Sequence, residues 1–531
     1  MQVVENQIVT LTLPSAVADV AANSIERCRI AKDYGTQKDV LLYWAHEEMT
    51  ALASYMDVAQ PDPNLPKLMS PMLRDYTWPG IYKPFDHQRD TASFLSLRQR
   101  AFCFNEAGTG KTSAAIWATD YLINIGVVKR VLVICPLSIM YSAWQNDIFN
   151  TAMHRTCGVA HGTADKRIKI IRGGYEFVII NFDGVHTVLE ELKSVNFDLI
   201  IVDEANAYKT ATTKRWKTLA KLITPNTWLW MMTGTPAAQS PMDAFGLAKM
   251  ISPQRVPKYT GAWRDRVQYQ VSRFKWENRM NWLETVRSAL QPAIRYTKAE
   301  CLDLPDVVYQ TRHIAFTPEV ERYYRDLKKQ LLIEAAGQQI SAVNAAASLN
   351  KLLQISGGAV YTDKKQIVQF DVRPRLNALK EVLDETTRKV IVFVPYLHTI
   401  SVVEEFLETA GVTNEVIQGS VSARERSEII KRFQEQPNPR VLVIQPQAAS
   451  HGITLTAADT VVFWSPVMSV ETYLQCIARI DRVGQTCKMT VVHLQSSDVE
   501  KRMYKMLQGK VDNHLKLVDL YKQELEEDGD E

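Results

Sequence analysis

An apolar run, AFCF, at residues 101–104 breaks into Asn105-Glu106-Ala107-Gly108-Thr109-Gly110-Lys111-Thr112, and the helix-patterned SAAIWATDYLI follows. Strand, glycine-bearing turn and helix start, in that order, form the setting in which a Gly-Lys-Thr triplet binds phosphate. Gly108 and Gly110, on either side of Thr109, let the backbone curl until its N–H groups point inward at an anion. Lys111 then reaches toward β- and γ-phosphates, and the Thr112 hydroxyl is placed to hold Mg²⁺. The full phosphate-loop pattern carries glycine at position 105, where this chain has asparagine.

A second group lies about ninety residues further on, where FDLIIVDEANAYK puts Asp203 and Glu204 at the end of an apolar run. Adjacent carboxylates at a strand tip are costly unless they hold a cation or remain hydrated. Asp203 in a Mg²⁺ shell and Glu204 polarising an attacking water would complete a phosphoryl-transfer site that takes ATP and Mg²⁺. Upstream, YKPFDHQRD sets His87-Gln88 at a helix start. The glutamine amide offers both a donor and an acceptor, which suits the edge of an adenine.

These residues need a sheet to carry them. VLVIC at 131–135, EFVIINFDGV at 176–185 and WLWMMTGTPAAQ at 228–239 are further apolar strands, the last ending in Thr233-Gly234-Thr235-Pro236. A second set follows: KVIVFVP (389–395), NEVIQG (414–419), RVLVIQ (440–445), TVVFW (460–464) and TVVHL (490–494). Helical patterns intervene at 397–409, 422–434 and 469–480. Apolar β-branched runs alternating with helices predict parallel sheets covered on both faces. Residues 1–78 read as an accessory N-terminal domain, with a hairpin-like start and a helix over 38–58. A first ATP-binding lobe is expected over 79–300, with a basic, aromatic and mainly helical insertion near 241–300. A second lobe is expected over 301–510, and 511–531 as a helix and acidic tail.

A chain of 531 residues is too long for one core, which suits this division. Its formal charge of +3 excludes a uniformly basic surface, so any nucleic-acid contact must be a local patch. No apolar run approaches the roughly 20 residues of a membrane span, and no membrane partner is expected. The seven cysteines are scattered singly without metal-ligand spacing, as in a reduced intracellular protein.

In combination these motifs resemble the ATPase motors of helicase superfamily 2, in particular the switch/sucrose-non-fermenting branch of DNA translocases. The resemblance spans roughly residues 80–510. Gln88 matches the family glutamine, 105–112 the acidic phosphate loop with Asn105 for the acid, 203–206 the Asp-Glu-Ala-His box with Asn206 for histidine, and 233–236 the family's Thr-Gly-Thr-Pro. Gln475, Arg479, Arg482, Gly484 and Gln485 meet every fixed position of the Q-x-x-x-R-x-x-R-x-G-Q element, which marks this branch rather than its RNA-unwinding relatives. AASHGITL at 448–455, containing Gly452, and WSP at 464–466 match two further elements loosely, with Ser450, Thr454 and Ser465 as replacements.

The resemblance implies two tandem RecA-like parallel-sheet lobes with helical insertions and a small N-terminal accessory domain. It implies nucleotide contacts from Gln88, Gly108, Thr109, Gly110, Lys111, Thr112, Gly452 and Gln475, and catalysis by Lys111, Asp203, Glu204, Arg479 and Arg482. The two arginines are expected on one face of the helix carrying YLQCIARI, where a guanidinium stabilises charge developing on the γ-phosphoryl. ATP closing and opening the lobes would step the chain along double-stranded or branched DNA through its backbone, with little sequence preference. A protein partner could then supply specificity. The lack of a nuclease, zinc or histone-reading appendage points to a prokaryotic or viral genome-maintenance motor, in the cytoplasm or on the nucleoid. The rival expectations are an RNA- or single-strand-directed helicase and an ATP-gated DNA-binding scaffold.

Overall fold

The computed structural model describes residues 1–58, 66–234, 236–237, 240–272, 275–301, 305–335, 342–361, 367–449, 453–482 and 484–509. Gly452, Ser450, Thr235 and the tail expected over 511–531 lie outside them. Contacts divide the chain into a first unit, Met1–Ala237 with Pro241–Cys301, and a second formed chiefly by the residues that follow. Among the described residues no helix is long and apolar enough to cross a membrane.

The first unit opens with an antiparallel sheet of β1 (Gln2–Val4), β2 (Ile8–Pro14), β3 (Cys28–Asp33) and β4 (Gln37–Tyr43) in the order β1-β2-β4-β3. Val9, Leu11, Leu13, Val40 and Leu42 point inward and are buried in one cluster with residues of the helices Ser15–Ser24 and His46–Val58. The single helix expected over 38–58 is therefore wrong in its first part. Val40 and Leu42 alternate at the strand period, and helical spacing begins only with Met49, Leu52, Ala53 and Met56.

The main sheet of this unit holds β5 (Arg100–Cys103), β6 (Val131–Cys135), β7 (Cys157–Ala160), β8 (Phe177–Asn181), β9 (Leu199–Asp203) and β10 (Trp228–Met232). A hairpin of β11 (Gln268–Ser272) and β12 (Lys275–Asn278) precedes the short edge strand β13 (Ala293–Ile294). The order is β13-β5-β10-β9-β6-β8-β7, with every neighbouring pair parallel. VLVIC and LIIVD are buried along their whole length because helices cover both faces, as continuous apolar strands require. The 241–300 insertion is less helical than its sequence suggests. Beside the helices Asp243–Ile251, Thr260–Val267 and Trp282–Ala289 it contains the β11–β12 hairpin, stabilised across the strands by Tyr269 on Glu277 and Gln268 on Asn278.

The second unit begins with β14 (Val307–His313), followed after two helices by the small pair β15 (Ala359–Tyr361) and β16 (Ile367–Gln369). Its main sheet adds β17 (Lys389–Phe393), β18 (Asn414–Ile417), β19 (Val441–Ile444), β20 (Ala458–Phe463) and β21 (Met489–Gln495), in the order β14-β21-β20-β17-β19-β18 and parallel throughout. The five strands expected here are present. β14 went unread because VVYQTRH lies at the sheet edge, and its exposed Tyr309, Gln310 and Thr311 hide the apolar pattern. Two all-parallel sheets, each covered by crossover helices, are tandem RecA-like lobes.

One feature of the second core is ionic. Arg375, on the helix Arg373–Glu385, and Glu500, on the helix Asp498–Gln508, form an ion pair at 2.9 Å with side chains 2% and 0% exposed. Arg375 also donates to the Trp464 carbonyl and to Ser496 Oγ, and Glu500 accepts from the Ser496 and Ser497 backbones. Both terminal nitrogens of Arg375 and both oxygens of Glu500 are thus engaged in a buried site.

Candidate active site

The parallel register brings the sequence's two chemical groups to one sheet edge. Met232, the last residue of β10, lies beside Cys103 of β5 on one side and Asp203 of β9 on the other. The phosphate loop leaves β5 one strand away from β10, so it and the carboxylates flank the end of β10, where Thr233 N–H donates to the Cys103 carbonyl at 3.0 Å.

The loop is shaped by its glycines. Gly108 and Gly110 adopt φ of 92° and 76°, and Gly110 caps the helix Lys111–Asn124 in the left-handed region. A Cβ on Gly110 would lie 1.9 Å from Gln88 Nε2, so a side chain there would displace that amide as well as strain the left-handed backbone. Thr109 is buried, with its hydroxyl on the Glu106 carbonyl at 2.8 Å, while Lys111 and Thr112 stand half-buried at the helix start. A turn of glycines without side chains above a helix N-terminus, with a lysine and a hydroxyl beside it, fits a polyphosphate.

Asn105 explains its own departure from the phosphate-loop pattern. Its side chain, 1% exposed, donates to Thr91 Oγ1 at 2.8 Å and accepts from the Tyr296 backbone at 3.0 Å. It ties the loop to the helix Asp86–Ser96 and to the chain just past β13, a link that glycine could not make.

Gln88 lies beneath the phosphate loop. Its Oε1 accepts from the Phe85 backbone at 3.0 Å, and its Nε2 faces the Thr109 and Gly110 carbonyls at 3.4 Å each. Both ends of the amide are engaged within the protein, and the side chain braces the loop from beneath. His87, which the sequence marked only as a neighbour, is also buried and contacts the Thr109 carbonyl at 2.8 Å through Nε2.

The carboxylates are held with equal definition. Asp203 is 4% exposed, and burial raises its pKa above the usual carboxylate range while the positive charge of Lys111 pulls it back down. Its Oδ1 accepts from the Glu204 backbone and its Oδ2 from the Trp144 indole, both at 3.0 Å. Glu204 takes φ 53° and ψ 53°, the left-handed region that a non-glycine residue enters at a cost of about 1 kcal/mol or more. The twist turns the chain off the strand between the two carboxylates. Gly234 lets the segment after β10 pass the loop, because a Cβ there would sit 3.2 Å from the Ala107 nitrogen.

In the second unit the arginine pair converges by another route than expected. The helix Val470–Ile477 ends before both residues, so they do not share a helix face. Arg479 and Arg482 lie in the turns that follow, and each donates through Nη1 to the Ile453 carbonyl at 3.1 Å. Arg479 is buried and also donates to the Gln475 carbonyl at 2.7 Å. Gln485 secures the turn, donating to the Ala458 carbonyl at 2.8 Å and accepting from the Cys487 backbone. Gly484 has φ 98°, which accounts for the fixed glycine of the motif. The Gln475 amide contacts Glu471 Oε1 at 3.4 Å, one turn back on its own helix.

Comparison with known proteins agrees with these motifs. A model of the SNF2-related domain matches residues 87–364, and one of the helicase conserved C-terminal domain matches residues 374–484. The chain is 24% identical over 475 residues to mouse Chromodomain-helicase-DNA-binding protein 1-like, covering 85% of this chain and 52% of the relative. It is 25% identical over 426 residues to Putative protein p41 of Acyrthosiphon pisum secondary endosymbiont phage 1, covering 76% of this chain and 90% of that protein. Human DNA annealing helicase and endonuclease ZRANB3 is 26% identical over 454 residues, and this chain spans 39% of its length. The chain thus spans about half of one animal relative, less of the other, and most of the phage protein. Among solved structures it is similar to the Sulfolobus solfataricus SWI2/SNF2 ATPase core in complex with dsDNA, at 22% identity and a TM-score of 0.41, covering 81% of this chain and 92% of the other. With the first model alone matching more than half its length, the chain belongs to the SNF2-related family of superfamily 2 helicase-like ATPases.

Proposed function

We propose that this chain hydrolyses ATP to move along double-stranded DNA, remodelling protein–DNA or branched DNA structures as it does so. The observation that carries the reading is the placement of the phosphate loop and the Asp203–Glu204 pair around the end of β10. Gly108, Thr109, Gly110 and Lys111 take the phosphates, Thr112 and Asp203 hold Mg²⁺, and Glu204 orients the attacking water. Bound Mg²⁺ supplies charge neutralisation on the phosphate oxygens. Gln88 acts by bracing the loop, and Gly452 and Gln475 are assigned to the second unit's share of nucleotide handling. Family membership and relatives named as a DNA-binding helicase and a DNA annealing helicase support DNA as the track. ATP turnover with duplex DNA, single-stranded DNA and RNA tests the reading. Stimulation by duplex DNA is the expected result, and stimulation by RNA alone would replace the track.

Arg482→Ala is expected to keep nucleotide affinity within about twofold and to lose at least about tenfold in DNA-stimulated hydrolysis, the arginine acting on transition-state charge. Lysine should rescue it poorly, since an ammonium does not reproduce the planar fork. Arg479→Ala should also lower thermal stability, because that guanidinium is buried on two carbonyls. ATPase rates beside equilibrium nucleotide binding check both variants.

DNA affinity should fall steeply with salt despite the net charge of +3, because backbone contacts release counterions. Titrations between about 50 and 200 mM salt, on unrelated duplex sequences, should show a strong salt slope and little sequence dependence. A flat salt response would contradict backbone tracking.

A further inference from the structure

We infer that Trp144 is a positioning residue for Asp203, fixing by its indole N–H the carboxylate that receives Mg²⁺; the inference rests on the site reading above. Trp144 is fully buried, and its Nε1 donates to Asp203 Oδ2 at 3.0 Å. With Glu204 N–H on Oδ1, each carboxylate oxygen has one donor and keeps lone-pair capacity for a cation. The rotamer is thereby set before any metal arrives.

Comparison within the chain argues that this contact is more than the satisfaction of a buried indole. Trp44, Trp117, Trp216, Trp230, Trp263 and Trp464 all donate to main-chain carbonyls. Trp144 instead donates to the buried carboxylate beside the phosphate loop. It reaches it from a π-helical turn, Met140–Gln145, between the 3₁₀ turn Leu137–Ile139 and the helix Asn146–Thr151. A π-turn carries an extra residue and re-aims its side chains, and such turns are frequent at functional sites.

The sheet order supplies the rest of the frame. β6 leads into this turn and is the neighbour of β9 on the side away from β10 and β5. Asp203 is therefore approached by Trp144 from the β6 side and by the charge of Lys111 from the β5 side. Removal of the indole donor frees one carboxylate oxygen to rotate, and the cation must then fix it at its own expense.

The test compares Trp144→Phe, which keeps a large ring and loses the donor, with Trp144→His, which is smaller and keeps a ring N–H. In the full chain, nucleotide affinity without Mg²⁺ should change less than about twofold in both. The Mg²⁺ concentration for half-maximal nucleotide binding should rise about tenfold in the Phe variant and less in the His variant. Turnover lost at low Mg²⁺ should return at saturating Mg²⁺. A larger shift in the His variant, or lowered melting with unchanged Mg²⁺ dependence, assigns Trp144 to packing and overturns the inference. Asp203→Asn serves as control: if it leaves Mg²⁺ dependence unchanged, the site reading itself fails. If neither Trp144 variant folds, indole N–H spectra of the wild-type chain with ADP, before and after Mg²⁺, replace them. One resonance should move, and an unmoved set overturns the inference.

Discussion

Lys111→Ala should bring steady-state ATP hydrolysis to background at saturating ATP while circular dichroism and melting stay close to wild type. Two losses combine. The loop is deprived of its mobile cation for the β- and γ-phosphates. Asp203, already pushed upward by burial, is deprived of the charge that opposes that push. Its carboxyl therefore takes up a proton at higher pH than before, and Mg²⁺ retention should weaken first at the acid end. Glu204→Gln should behave differently, keeping Mg²⁺-nucleotide affinity through Thr112 and Asp203 while losing turnover by about 10²–10⁴-fold, the usual share of a general base. Equilibrium binding beside hydrolysis separates the two variants. Full turnover in Lys111→Ala would sink the site, and lost affinity with spared turnover in Glu204→Gln would reverse the carboxylate roles.

The second large effect is on stability. Arg375→Met should destabilise the second unit by about 3–5 kcal/mol, because Glu500 is left charged and enclosed. Part of that carboxylate remains engaged by the Ser496 and Ser497 backbones, but Arg375 Nη2, which donates to both of its oxygens at 2.9 Å, has no substitute. The double change Arg375→Met with Glu500→Met should recover much of the loss, since apolar replacement of a whole buried pair is often neutral or better. Thermal unfolding of the four chains forms the cycle. A double variant as unstable as the single one would mean that Glu500 matters chiefly as the capping side chain of its helix, where its Oε2 accepts from the Ser497 backbone.

Much of this architecture was legible because it is written in local patterns. Runs such as LIIVD and VLVIC are apolar throughout, and a strand buried on both faces has no other composition. The phosphate loop was legible from the order of strand, glycine turn and helix. What escaped depends on partners distant in sequence. Residues 38–43 pass for helix until β2 is seen to pair with them, and β14 is recognisable only beside β21. The support expected for the arginine pair was wrong, because spacing cannot show that a helix stops at Ile477 while a carbonyl at Ile453 gathers both guanidiniums. Trp144 gave no spacing signal at all. A single tryptophan in an apolar stretch looks like core, and only register across β6 and β9 brings it to Asp203.

The pairing of β14 with β21 also has a consequence for synthesis. The register runs from Val307 opposite Met489 to His313 opposite Gln495, so the first strand of the second sheet waits for the last. At roughly 5–20 residues per second, a translating ribosome leaves β14 without its neighbour for about ten seconds or longer. The remaining strands meanwhile assemble without β21 to join β14 to β20. Distant pairing of this kind slows folding and leaves an unpaired edge open to the wrong neighbour. Nascent chains stalled before Met489 should therefore be captured by holding chaperones through the second unit, with the first already resistant to protease.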